Sequence, residues 1–267
     1  MRVVLPSNAC LENYPNNSLT KFTVQLPQPL DLSSGQWEFG LSEIQFYKSW
    51  YNVKDSILTI RKGNEETVVT MENGYYKSPE FFIHQLNEKI EKCCNEETQK
   101  FVKFSYNKVT RSSEIYFTPN KKFLLEFTPS MKHILGFNNA DVNTEIEKLS
   151  QKYPARGDTP VSKLKFSTGL PMQLDDIFNL MVYCDLAQTS IVGNTEAPLL
   201  RSVPVTGKHW ENQCTTFSRI QYIPVSKKSV RSISVYIYTD WGQPIAFTHG
   251  RTTCTLEFRK THSLQYK

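Results

Sequence analysis

The chain has 267 residues and a formal net charge of +5, with 39% hydrophobic, 12% aromatic and 21% charged residues. That length holds one large all-β domain or two smaller ones, and it buries enough surface to fold without a disulfide or metal staple. The lysines and arginines are too few in excess and too scattered for a nucleic-acid-binding stripe, while the aromatic share, 14 Pro and 11 Gly argue for many short strands rather than disorder.

Along the chain the dominant period is two. Phe22, Val24 and Leu26 alternate with polar residues and stop at Pro27. Trp37, Phe39 and Leu41 repeat the pattern, which then slips and resumes at Ile44 and Phe46, as a β-bulge requires. Residues 57–60 and 67–70 flank Gly63-Asn64 and read as a hairpin. The period then changes. Ser78, Pro79 and Glu80 form a helix start, and Phe82, Leu86, Ile90 and Cys94 recur every four residues behind it. The spacing predicts an amphipathic helix over 79–94, packed on its own sheet.

Strand alternation returns at Val102, Phe104 and Tyr106, around Ile115 and Phe117, and at Phe123, Leu125 and Phe127. Pro129 to Leu135, closed by Gly136, reads as a short helix. Residues 138–165 are polar and are expected to form the longest loop. Strands resume at Leu180 to Leu186, Leu199 to Val205, Phe217 to Val225, Ile233 to Ile237 and Cys254 to Phe258, with a turn at 240–244. About a dozen short strands with few helices point to a mainly β protein, a β-sandwich carrying an α+β insertion. The only helical period and the longest irregular stretch both fall inside 51–164. The expected division is therefore a discontinuous sandwich of 1–50 and 165–260, an inserted region 51–164, and a C-terminal tail 261–267.

The cysteines at 10, 93, 94, 184, 214 and 254 form no CxxC pair, and Cys184 and Cys254 lie on apolar strand faces. That usage fits folding in a reducing compartment. Val3, Val4 and Leu5 before Pro6 are too few for a signal-peptide core, and no apolar run nears the roughly 20 residues a membrane span needs. The expectation is a chain made and folded inside a cell, with no membrane partner and no specific nucleic acid. No Walker A, GxGxxG, GxSxG or HExxH motif occurs. His209-Trp210-Glu211 matches the H-x-E of zinc deaminases, but no P-C-x-x-C follows; Asp175-Asp176 reads more simply as an acidic turn than as a metal pair. No enzyme, cofactor or metal is expected.

Several segments, in order along nearly the whole chain, resemble the penton (minor capsid) protein of Polinton/Maverick elements and adintoviruses. They are Leu5-Pro6-Ser7-Asn8; Phe22 to Pro27 with Pro29-Leu30; Trp37 to Ile44 with Trp50-Tyr51-Asn52-Val53; and Ile134-Leu135-Gly136-Phe137. The densest are Val182 to Leu186, Ile191-Val192-Gly193-Asn194, Ala197 to Arg201, Tyr222 to Val225, and Phe247 to Phe258. The resemblance implies a transposon- or virus-encoded jelly-roll subunit of a virion. It would form homopentamers at the icosahedral vertices, beside the double jelly-roll major capsid protein.

A fivefold ring joins two different surfaces of the subunit, and such patches favour Tyr, Trp and Arg over Lys. Trp210, Tyr236, Tyr238 and Trp241 are the candidates on sequence; the alternative is that they cover a second sheet or the inserted region. Arg156-Gly157-Asp158, between Pro154 and Pro160, matches the integrin-binding tripeptide that adenovirus penton bases display, or else is a turn with Gly157 at positive φ. The competing function is a host-domesticated or secreted β-sandwich binding module, such as a trimeric ligand of the tumour-necrosis type. Missing signal-peptide character and unpaired cysteines weigh against it.

Overall fold

The computed structural model describes residues 1–94, 102–118, 123–137, 142–152, 164–174 and 177–261. They fall into two compact units, Met1–Trp50 with Ile177–Lys267, and Tyr51–Asp176. Each has its own hydrophobic core.

The first unit is built on eight principal strands: β1 (Arg2–Pro6), β2 (Lys21–Asp31), β3 (Trp37–Tyr47), β10 (Asn179–Cys184), β13 (Leu199–Pro204), β14 (Asn212–Thr216), β16 (Ser229–Thr239) and β17 (Thr253–Lys260). One sheet has the order β1-β17-β3-β14 and the other β13-β10-β16-β2. The antiparallel pairs nest: β1 with β17, β2 with β16, β3 with β14, β10 with β13. A long double strand rolled up on itself gives that nesting, which is the topology of a jelly roll. A small hairpin, β11 (Ser190–Val192) with β12 (Thr195–Ala197), and the two-residue β15 (Ile223–Pro224) complete the unit.

The alternation read from the sequence explains the core. Along β16, Val230, Ile233, Val235 and Ile237 are buried, and Ser234 and Tyr236 between them point outward. In β3 the slip after Leu41 is a bulge: Leu256 pairs with Leu41 and Thr255 with Glu43, so Ser42 is the extra residue. The bulge returns Ile44 and Phe46 to the same buried side as Phe39 and Leu41. Phe39 stacks on Phe258 at 5.2 Å. Each such side chain contributes about 1.5–3 kcal/mol by leaving water.

The second unit holds two three-stranded sheets, β5-β4-β8 and β6-β7-β9. These are β4 (Ile57–Lys62), β5 (Glu65–Thr70), β6 (Val102–Asn107), β7 (Ser112–Phe117), β8 (Leu124–Phe127) and β9 (Leu164–Pro171). Gly63, at φ 60°, opens the two-residue turn between β4 and β5, the place a type II′ hairpin reserves for glycine. Helix α1 (Pro79–Cys93) begins as expected: the Ser78 hydroxyl accepts a hydrogen bond from the Phe81 N–H, and Pro79 takes the first turn. Its Phe82, Ile83, Leu86 and Ile90 enter the core of this unit. Helix α2 (Pro129–Leu135) is capped by Gly136 at φ 75°.

Two expectations are corrected here. The stretch 138–165 is not a loop throughout, because α3 (Val142–Lys152) occupies its middle and buries Val142 and Ile146. The sandwich does not resume at 165, because β9 hydrogen-bonds β7 and belongs to the inserted unit. Of the tail 261–267, Thr261 donates its N–H to the Gln36 carbonyl, and 262–267 lie outside the described residues.

One device recurs. Asn17, Asn52, Asn87 and Asn143 each place a side-chain amide against a backbone N–H and C=O of the same residue: Thr23, Tyr76, Phe104 and Leu125 respectively. Thr23, Phe104 and Leu125 sit on strands at the ends of their sheets. The amide thus stands in for a missing neighbouring strand and closes an edge that would otherwise be open for pairing.

Candidate functional site

Tyr236 and Tyr238 lie on the outer face of β16, half-buried, opposite Tyr183 and Met181 of β10. Tyr183 and Tyr238 meet edge to face, with ring centroids 5.7 Å apart. With Ala197, Pro198 and Gly242 the three tyrosines line an open concavity of about 390 Å³. Its rim is shaped by the turn after β16, where Thr239 donates its N–H to Gln243 and Gly242 adopts φ 80°. Trp241, in that turn, is 54% exposed. Burial, and then the neighbouring Tyr238, push the Tyr183 hydroxyl above its ordinary pKa. On the β2 side, the Lys21 ammonium lies 5.8 Å from the Tyr236 ring centre.

Trp210 is not among the residues lining this concavity. It sits in the connection from β13 to β14, 52% exposed, at φ 68°. A bulky residue in the left-handed region is strained by about 1–3 kcal/mol. Two contacts hold it there: its N–H donates to the Lys48 carbonyl at 2.9 Å, and its ring stacks on His249 at 4.7 Å. His249 in turn lies 5.1 Å from Tyr47. Glu211 accepts from the Lys208 N–H and closes the same turn. Among the described residues no group of three or more His, Cys, Asp or Glu is placed to hold a metal ion. Nor does any described helix have the length and apolarity to cross a membrane. Asp175-Asp176 and Arg156-Gly157-Asp158 lie outside the described residues.

Sequence reasoning missed Tyr183 as a partner of the two β16 tyrosines, although the alternation Leu180, Val182, Cys184 already places it outward. It also missed what holds the segment after β14. The Arg201 guanidinium lies 3.6 Å from the Phe217 ring centre and donates to the Arg219 carbonyl. The Arg259 guanidinium covers the Tyr222 ring at 3.6 Å, and the Tyr222 hydroxyl donates to Glu257. Burial, then the bond to Glu257, push the Tyr222 hydroxyl upward. This segment crosses Gly40 so closely that a Cβ there would sit 2.3 Å from the Gln221 carbonyl oxygen.

The fold is similar to that of the mavirus penton protein, with a TM-score of 0.47 and 14% identity over 98% of each chain. It is also similar to a chain of the Sputnik virophage, with a TM-score of 0.44 and 14% identity over 97% of this chain and 98% of that one. No protein-family model matches the sequence, and no curated protein does.

Proposed function

We propose that the protein is a structural capsid subunit of the penton type, from a Polinton- or adintovirus-type particle. Five copies form a ring at each icosahedral vertex, held in the shell by the double jelly-roll major capsid protein. It is made and folded in the host cell and ends in the virion, and it works by assembly rather than catalysis. The observation that carries this reading is the nested eight-strand jelly roll with β1-β17-β3-β14 facing β13-β10-β16-β2. The chain-long order of penton-like segments supports it: Trp37 to Ile44 lies on β3, Val182 to Leu186 on and just after β10, and the stretch ending at Phe258 on β17. The outward tyrosines and the half-exposed Trp210 and Trp241 supply the aromatic surface that a ring contact uses.

Native mass spectrometry of the purified chain tests the proposal. The expected species has five times the 30.9 kDa chain mass. A chain that stays monomeric at high concentration overturns it, and a clean trimer favours the trimeric-ligand reading instead. For Arg156-Gly157-Asp158 the test is cell adhesion: divalent-cation-dependent adhesion lost on Asp158→Ala supports receptor binding. Equal adhesion by both proteins overturns that role.

A further inference from the structure

A closed ring joins two unlike surfaces of the same subunit. The tyrosine concavity, on the central strands β10 and β16, offers one, and the edge strand β2 of the same sheet carries a feature that fits it. In β2, Gln25 pairs with Ser232 and Leu30 with Val230, so residues 26–29 stand opposite Arg231 alone. Four residues against one makes a large bulge on an edge strand, and its Pro27, Gln28 and Pro29 are exposed. Prolines have no N–H, so this edge cannot be extended by an added strand at those positions. Their fixed φ instead makes a stiff, apolar ridge that loses little entropy on docking, and aromatic-lined grooves are the surfaces that accept such ridges.

We propose that the 26–29 bulge of one copy seats in the Tyr183–Tyr236–Tyr238 concavity of the next copy. Charge fixes the direction. Asp31, exposed, lies two residues past the bulge, while Lys21 stands over Tyr236 at the side of the concavity. Seated in register, the ridge brings the Asp31 carboxylate of one copy toward the Lys21 ammonium of its neighbour. The tyrosine hydroxyls face the carbonyl groups of the bulge as donors. The inference rests on the pentamer reading and names the surfaces that would make it.

The test uses the full chain with a photoreactive benzoylphenylalanine in place of Tyr238, mixed from isotope-labelled and unlabelled copies and irradiated as the assembled ring. Tyr183 is the second position if the first substitution prevents assembly. Crosslinks between labelled and unlabelled chains should map to residues 26–31. Lys21→Glu and Asp31→Lys should each raise the concentration at half-dissociation about tenfold, and the double exchange should restore it to within about threefold. The thermal unfolding of the dissociated subunit should not move. Crosslinks that map elsewhere on an intact pentamer, the exposed Ile191 hairpin included, overturn the inference while leaving the pentamer standing. A chain that forms no pentamer at all overturns both.

Discussion

Gly40 has an ordinary backbone conformation, so its requirement for glycine is a matter of space alone. An added methyl meets the Gln221 carbonyl and the Ile220 side chain. Because the obstacle is largely backbone, Gly40→Ala should destabilise the jelly roll by about 1–3 kcal/mol. The check is a lower urea midpoint at unchanged denaturant slope. The cysteines divide just as sharply. Cys184 and Cys254 are fully buried, and burial pushes both thiols up, that of Cys254 to about 12. Cys93 and Cys214 are exposed. At pH 8 a disulfide reagent should label Cys93 and Cys214 in the native protein and reach Cys184 and Cys254 only in denaturant. Early labelling of Cys184 would contradict the packed sandwich interior.

Among the elements, β7 carries the one buried carboxylate of the described residues. Burial pushes the Glu114 carboxyl up, but the Lys165 ammonium at 2.6 Å, with donors from Asn107 and Tyr116, more than offsets it and holds the group below its ordinary range. A lowered folded pKa adds stability that is fully present above the unfolded value, about 4.3, and is lost as pH falls through the folded one. Glu114→Gln should therefore flatten the acid limb of the inserted unit's stability below about pH 4, and unfolding followed between pH 7 and 3 measures it. Elements with a strong private signature were legible: α1 and α2 through their proline starts and caps, β3 through its slipped alternation. What escaped had a weak signal or a distant cause. Helix α3 has Val142, Ile146 and Leu149 at helical spacing, but only three apolar residues in a polar stretch. Strand β14 buries no residue, so Asn212–Thr216 shows no stripe and owes its form to pairing with β3. Strand β9 was not legible as a strand, and nothing local says that its partner is β7. The outward tyrosines of β16 followed from period two, whereas the concavity depends on β10 and Pro198 meeting them.

For the whole molecule, the insertion at Tyr51–Asp176 has its own sheets, helices and core. Ending the chain before β17 should abolish the cooperative unfolding of the jelly roll, because β1 and β3 both lose their shared partner. The inserted unit should keep its own transition, read by hydrogen exchange at β4, β6 and β7. Loss of protection in both units together would show that the insertion depends on the sandwich.

The nesting of the strands also sets a timetable. None of β1, β2 and β3 pairs with another of the three; every partner lies beyond residue 210. During synthesis the first fifty residues therefore wait, apolar and unpaired, while the insertion emerges and completes its own fold. The sandwich closes only when β16 and β17 have left the ribosome, the slow, long-range kind of closure that leaves a chain open to aggregation. On the ring reading proposed above, the faces that would meet are completed last, so a nascent subunit would have nothing with which to capture a neighbour, and assembly would begin only with finished chains.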